Sequence, residues 1–385
     1  MTATKEKQLG VIATGKTAFQ VEKDELLDAL LLCAKVVQRT SAIPLLSCIK
    51  FDLKGETLFI TAMDISQAVL RMLKVTNDNG IDGSYLLPAR EAIDLVRKLP
   101  AGEVSFTQND SMVAISYGVR GRANLVAMKS EEYPELPKLS NAMFISVPIE
   151  TMKKGALASR FTLTDEKTPT LTAIHIHNDN GKLAFMGTDR HRVYRHISDV
   201  AIEDQDRFRN AMIPALQFKG IVDSIKAHKV DVAVDTNHLV MRDKNTVYFG
   251  RLLDGNYPQI SHIFAKMKEG TAIQVPRGEM DDTLNRMLSL DGVENNRITL
   301  EVDDKGELTV HSQSQTGDIC EVFPGSKVDE GFPTIKFNAR YLKDALLVGD
   351  RDVKSVSLRT TGIGFPGFIE FDGDDSVIVV VNQVR

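Results

Sequence analysis

The chain has 385 residues, enough for two or three domains with a core each, and its 43% hydrophobic and 26% charged residues are those of an ordinary globular protein. The net charge is −5 and tryptophan is absent, so no aromatic binding site is advertised. Cys33, Cys48 and Cys320 fit no zinc or disulfide spacing, Met1 to Leu9 is too polar for a signal core, and the aliphatic run Val377 to Val381 is too short to cross a bilayer; a cytoplasmic protein with no membrane partner is expected.

In chain order, the first motif is Gly10-Val-Ile-Ala-Thr-Gly15-Lys16-Thr17, which meets the phosphate-loop pattern literally. Such a loop follows a buried strand and opens a helix, whereas Lys5-Glu-Lys-Gln8 precedes this one and the strand-like Phe19-Gln-Val21 follows it. Residues 1–18 therefore read as a disordered tail, and a nucleotide hydrolase using 10–17 is the enzyme alternative.

Beyond the tail, three landmarks recur about 125 residues apart. Phe19-Gln-Val21, Phe144-Ile-Ser-Val147 and Ile273-Gln-Val275 each lead into an amphipathic helix. Leu58 to Asp64, Leu183 to Asp189 and Leu308 to Ser314 are strands running into a turn. Leu87-Pro-Ala-Arg90, Ile213-Pro-Ala-Leu216 and Phe337-Asn-Ala-Arg340 open a second helix. Six helices are predicted, over 22–39, 88–100, 148–160, 214–229, 276–290 and 337–351. Between them Val104-Ser-Phe106, Val230-Asp-Val-Ala-Val234 and Val356-Ser-Leu358 alternate as half-buried strands do. The fold class is α+β with antiparallel sheet, in domains 19–141, 142–270 and 271–385 with linkers near 138–143 and 264–272.

On the helix after Pro88, Ala92, Ile93, Val96 and Leu99 form the buried stripe and Arg90, Arg97 and Lys98 point outward. After Pro214, Leu216, Ile221, Val222 and Ile225 are the expected stripe, with Lys219, Lys226 and Lys229 outside. The six helices carry a small basic excess on an acidic chain, a surface that solvent alone explains but that also suits phosphate backbones. His175-Ile-His177 places two imidazoles on one strand face, with no third ligand spaced to complete a metal site, and Asp189-Arg-His191-Arg192 reads as a binding corner rather than a catalytic one.

Ile43-Pro-Leu-Leu46, Leu87-Pro-Ala-Arg90, Thr188-Asp-Arg-His-Arg192, Arg251-Leu-Leu-Asp-Gly-Asn-Tyr-Pro258 and Phe337-Asn-Ala-Arg-Tyr341, in this order, resemble the bacterial sliding clamp, the beta subunit of DNA polymerase III, from about Phe19 to Arg385. The resemblance implies three similar clamp domains, each with two helices on antiparallel sheets. Two chains would join head to tail as a ring of six domains. It further implies a processivity factor without catalytic residues or cofactors, which encircles double-stranded DNA and tethers the polymerase III catalytic subunit, the clamp loader and other proteins carrying clamp-binding peptides. A peptide-binding scaffold not acting on DNA is the other alternative.

Residue by residue, the resemblance and the helix faces put Arg39, Arg90, Arg97, Lys98, Lys153, Lys154, Lys219 and Lys226 toward DNA. They put Leu171, Thr188, His191, Arg192, Val193, Pro258, His262, Ile263, Val380, Asn382 and Val384 in a pocket for a short glutamine-and-leucine-type peptide. Leu125 and the pair Met287 and Leu288 fall on the two sides of the chain-to-chain contact. Arg190 stands where such clamps usually carry a small residue, and Asn382-Gln383 where they carry an apolar–proline pair.

Overall fold

Alternating apolar and polar residues make strands with one buried face, and strands are the commonest element of the described residues. The structure, a computed structural model, describes residues 17–38, 43–77, 79–138, 143–165, 167–205 and 208–384. Six short helices are present: α1 (Lys23–Cys33), α2 (Ala89–Lys98), α3 (Ile149–Ala156), α4 (Ala215–Val222), α5 (Arg277–Met287) and α6 (Ala339–Leu346). They begin where predicted because a proline with helix-ready φ precedes α2, α3, α4 and α5, while the Asn338 side chain accepts from the amides of Arg340 and Tyr341 at the start of α6. They end earlier than predicted. Pro100 keeps Leu99 extended after α2, and the turn after α3 tightens into a 3-10 helix over Leu157–Phe161. The helices pack in consecutive pairs, α1 on α2, α3 on α4 and α5 on α6.

The described residues form two compact units. The first holds the described residues up to 138 with Val230–Ala233 and His238–Arg251. One of its sheets runs in the order 17–22, 103–109, 112–117, 121–126; the other runs 83–88, 48–54, 57–63, 67–74, 246–251, 238–242 and on into Val230–Ala233. The second unit holds the described residues of 143–229, 234–237 and 252–384. Its larger sheet runs 211–214, 173–179, 182–188, 192–201, 374–381, 367–371, 355–360, 271–276, 327–328, and its smaller one 318–323, 308–313, 297–302, 335–338. The register-resolved pairings are antiparallel, which gives the α+β class.

The repeat is visible in this order. Strands 67–74 and 192–201, each the last of a four-strand run, are joined by a later hairpin strand, with Thr246 opposite Arg71 in one joint and Arg192 opposite Val381 in the other. The third run ends at 318–323, which is an edge, as is 121–126 in the first unit. The turns after the strands that end at Asp64, Asp189 and Ser314 also share a hydrogen-bonding pattern. The amides of Asp64, Asp189 and Ser314 each donate to the carbonyl three residues on, at 2.8, 3.4 and 2.9 Å, while the Asp64 and Asp189 carboxylates and the Ser314 hydroxyl each accept the amide two residues on.

Some boundaries differ from expectation. The first strand begins at Thr17, so Thr17 opens a strand rather than a helix, against a phosphate loop; residues 10–16 lie outside the described residues. The segment expected as a linker at 264–272 contains buried Phe264 at the end of a 3-10 helix and the start of strand Thr271–Pro276. Cys33 and Cys48 are buried and Cys320 exposed, all three as free thiols, and burial pushes the Cys33 and Cys48 thiols up. In α4, Leu216 is 62% exposed and Phe218 fully buried instead: with the helix starting at Ala215, the inward stripe is Ala215, Phe218, Ile221, Val222, and Leu216 is turned about 100° from it. Phe218→Ala is expected to cost about 3–5 kcal/mol and Leu216→Ala no more than about 0.5 kcal/mol, read as shifts of the urea transition of the second unit.

Candidate functional site

The second of the three matching turns builds a site. Strand 182–188 ends at buried Thr188, and the chain reverses through Asp189, Arg190 and His191 into strand 192–201. Asp189 Oδ1 accepts the amides of His191 and Arg192 at 3.0 and 2.8 Å, and the Thr188 hydroxyl donates to the Arg192 carbonyl at 2.7 Å. Arg190 sits in the left-handed region at φ 77°. Beyond strand 374–381, the Asn382 amide donates to the His191 carbonyl at 2.9 Å and its side-chain amide to the Arg190 carbonyl at 3.0 Å.

Between this turn, the 3-10 turn Pro169–Thr172 and the segment Pro258–Ile263 lies a cavity of about 310 Å³. Nine of the eleven residues expected in the pocket line it: Leu171, Thr188, His191, Arg192, Val193, Pro258, Ile263, Val380 and Asn382. His262 does not, because on the 3-10 helix Ser261–Lys266 it points to solvent while Ile263 turns inward. Val384 does not either; its amide is drawn to the Lys336 carbonyl at 2.9 Å, away from the cavity. Thr168, Thr170, Arg190 and Ile260 line it as well. No apolar spacing marks the two threonines, but the departure at Arg190 was itself a signal. Beneath the cavity Val193 and Val380 belong to a buried cluster with Met186, Tyr257 and Phe264, against which Ile260 and Ile263 pack.

Arg192 forms one wall and makes four side-chain hydrogen bonds. Its Nε and Nη2 donate to Asp189 Oδ2 at 3.0 and 2.8 Å, Nη1 to Asp344 of α6 at 2.5 Å, and Nη2 to the Arg160 carbonyl at 3.3 Å. The guanidinium also lies over the rings of Phe161 and Tyr341, 5.1 and 4.5 Å from their centroids. Asp189 thus serves an arginine, and His191 stacks on Tyr341. Nearby, His175 and His177 stack on each other at 4.6 Å, and His175 on Tyr257 at 4.5 Å. Among the described residues no group of three or more His, Cys, Asp or Glu is placed to hold a metal ion.

Residues 17–137 match the N-terminal domain of the DNA polymerase III beta subunit and residues 146–259 its central domain, together more than half of the chain. The chain belongs to the DNA polymerase III beta-subunit family. A beta sliding clamp of Staphylococcus aureus is 27% identical over 380 residues, 95% of this chain and 99% of the relative, and one of Staphylococcus epidermidis is 25% identical over 378. The crystal structure of the DNA polymerase sliding clamp from Bacillus subtilis, 24% identical, superposes with a TM-score of 0.86 over 96% of this chain and 99% of that one. The beta subunit from Thermotoga maritima keeps a TM-score of 0.84 at 15% identity over 96% and 99%. Among such relatives the fold outlasts the sequence.

For a beta-subunit chain the remaining site residues fall as follows. Arg39 lies outside the described residues. Arg90, Arg97 and Lys98 are exposed on α2, the two arginines within 3.9 and 3.5 Å of Asp94. Lys153 pairs with Glu150 at 2.8 Å, Lys219 pairs with Asp223, and Lys226 is exposed. Lys154 does not face outward: largely buried, it bridges Asp374 at 2.7 Å and Asp350 at 3.0 Å, two carboxylates far along the chain that take up its charge. Leu125 is on edge strand Gly121–Val126. Met287 is buried in the inward stripe of α5 and Leu288 half-buried at its cap; the exposed element beside them is edge strand Asp318–Phe323.

Arg192→Ala leaves Asp189 buried without its cation and is expected to cost about 3–5 kcal/mol in urea unfolding, so loss of ligand binding in that variant would report on folding. Burial, with His177 beside it, lowers His175 from its ordinary 6.5 to about 3, and burial lowers His196 to about 4. Below pH 6.5 the unfolded chain therefore takes up protons that the folded chain refuses, and stability falls as pH drops toward 4. In His175→Phe, which keeps the stack on Tyr257, the melting temperature should fall less steeply over that window than in the unaltered chain.

Proposed function

We propose that this chain is a sliding clamp: three clamp domains, 19–141, 142–270 and 271–385, closing with a second chain into a ring that encircles duplex DNA and tethers a polymerase without catalysing a reaction itself. One observation supports the ring above the others. Inside the chain, the last strand of a four-strand run is twice covered by a hairpin strand from further along, 67–74 by 246–251 and 192–201 by 374–381. The third such run leaves 318–323 uncovered, and the remaining hairpin strand, 121–126, is an edge. Joining 318–323 of one chain to 121–126 of the next repeats the internal joint and removes both edges, a head-to-tail contact that can close on itself. Val322 and Val126, 47% and 60% exposed, are apolar side chains on those two edges. Leu125 stays in the proposed contact, and strand 318–323 takes the part expected of Met287 and Leu288.

The DNA-facing set reduces to Arg39, Arg90, Arg97, Lys98, Lys153, Lys219 and Lys226, scattered cations on a chain of net charge −5. Scattered cations attract phosphates without fixing a register, as sliding requires. Replicative polymerase, clamp loader and other partners would dock by peptides in the 310 Å³ cavity, whose walls Leu171, Val193, Pro258, Ile263 and Val380 suit an apolar anchor.

Sedimentation should give a two-chain particle, and protein loaded on nicked circular DNA should stay bound until the circle is cut. Leu125→Asp combined with Val322→Asp should sediment as a folded monomer and not be retained. A wild-type chain that runs only as a monomer, or that leaves circular and linear DNA equally fast, would sink the proposal.

A further inference from the structure

The three residues that depart from the family pocket, Arg190, Asn382 and Gln383, act as one unit at the mouth of the cavity. Asn382 holds the Arg190 carbonyl through its side chain at 3.0 Å. Gln383 donates to the Gly362 carbonyl at 2.9 Å and accepts from the Gly364 amide at 2.9 Å, fastening the chain so that Asn382 faces the turn. An apolar–proline pair could make none of these side-chain bonds. Arg190 itself is exposed, with its amide held by the Thr188 hydroxyl at 3.2 Å and one guanidinium nitrogen donating to the Thr168 hydroxyl at 3.2 Å.

Two facts give this arginine a purpose. Its backbone gains nothing from being arginine, since glycine takes φ 77° more easily. Its charge is also uncompensated: neighbouring Arg192 has the carboxylates of Asp189 and Asp344, whereas among the described residues Arg190 has no ion pair and only the Thr168 hydroxyl for its five N–H donors. The guanidinium thus stands, positioned and unpaired, on the rim of a cavity walled by Leu171, Val193, Ile260 and Val380. A carboxylate reaching it there is partly shielded from water and can make two parallel charge-assisted bonds.

We propose that Arg190 makes this pocket selective for an acidic peptide, one whose apolar anchor fills the cavity while an aspartate or glutamate beside the anchor pairs with the guanidinium. This rests on the peptide-docking reading above and adds the chemistry of the occupant. Arg190 is then a specificity-determining residue, and Asn382 and Gln383 position it.

The test is fluorescence anisotropy on the full-length chain with labelled glutamine-and-leucine-type peptides, made in sets that differ by Glu, Gln or Lys at each position flanking the leucine anchor. At low salt the best Glu peptide should bind about tenfold more tightly than its Gln counterpart, a gap that narrows as salt rises. Arg190→Gly, which relaxes the turn, should bring the Glu and Gln peptides to the same affinity, and Arg190→Glu should favour the Lys peptide. If the unaltered chain does not discriminate, or discriminates equally in Arg190→Gly, the acidic preference is wrong. Ile263→Asp separates that result from failure of the pocket: if it weakens every peptide the pocket stands and only the role of Arg190 falls, and if it weakens none the docking reading falls and the proposal with it.

Discussion

The interaction on which the second unit most depends is the burial of the Arg192 guanidinium. A charge is tolerated inside a protein only when its donors are matched, and here one cation meets two carboxylates, a carbonyl and two aromatic faces. These partners come from different parts of the chain: Asp189 from the turn, Arg160 and Phe161 from the 3-10 helix after α3, Tyr341 and Asp344 from α6. The strand joint between 192–201 and 374–381 is thereby tied to helices on both sides of it. The wall that Arg192 gives the cavity is held in place by four hydrogen bonds and two ring contacts.

The same position in the first repeat shows what the arginine adds. Gln67 follows Asp64 as Arg192 follows Asp189; it donates to the Lys35 carbonyl just beyond α1 and accepts from the Tyr248 hydroxyl. Arg192 likewise reaches the Arg160 carbonyl beyond α3. In the third repeat the position is Gly317, and the reach passes to its neighbour, the Thr316 hydroxyl donating to the Asp291 carbonyl beyond α5 at 3.3 Å. A scaffold with one hydrogen-bonding pattern at its turns thus accepts a neutral or a charged bridge, according to what each joint must hold together.

Much of this was legible in the sequence, for definite reasons. Proline and asparagine before alanine marked helix starts because capping is local, and the recurrence of landmarks gave the repeat because equivalent units need equivalent turns. Nine pocket residues were reachable by resemblance. What escaped was non-local or a matter of phase. Leu216 and Phe218 are both apolar, and only the true helix start decides which faces inward. The partners of Lys154 lie 196 and 220 residues away, so an apparently outward lysine is an internal strut. Met287, apolar in the sequence, is buried in α5, and the exposed edge strand beside that helix begins 31 residues further on.

Why the second turn, of three alike, carries the site follows from the residue after its acid. In the first repeat that residue is Ile65, in the third Gln315, and neither takes a positive φ; a β-branched side chain such as isoleucine could do so only against strong steric resistance. At Arg190 the backbone turns left-handed, and its carbonyl is turned to the Asn382 side chain. The two arginines of the turn then serve opposite ends: Arg192 is buried and neutralised, and Arg190 is exposed with no ion pair among the described residues. The twist at residue 190 is therefore what separates a structural cation from one available to a partner, and it places the second on the lip of the apolar cavity that the first supports.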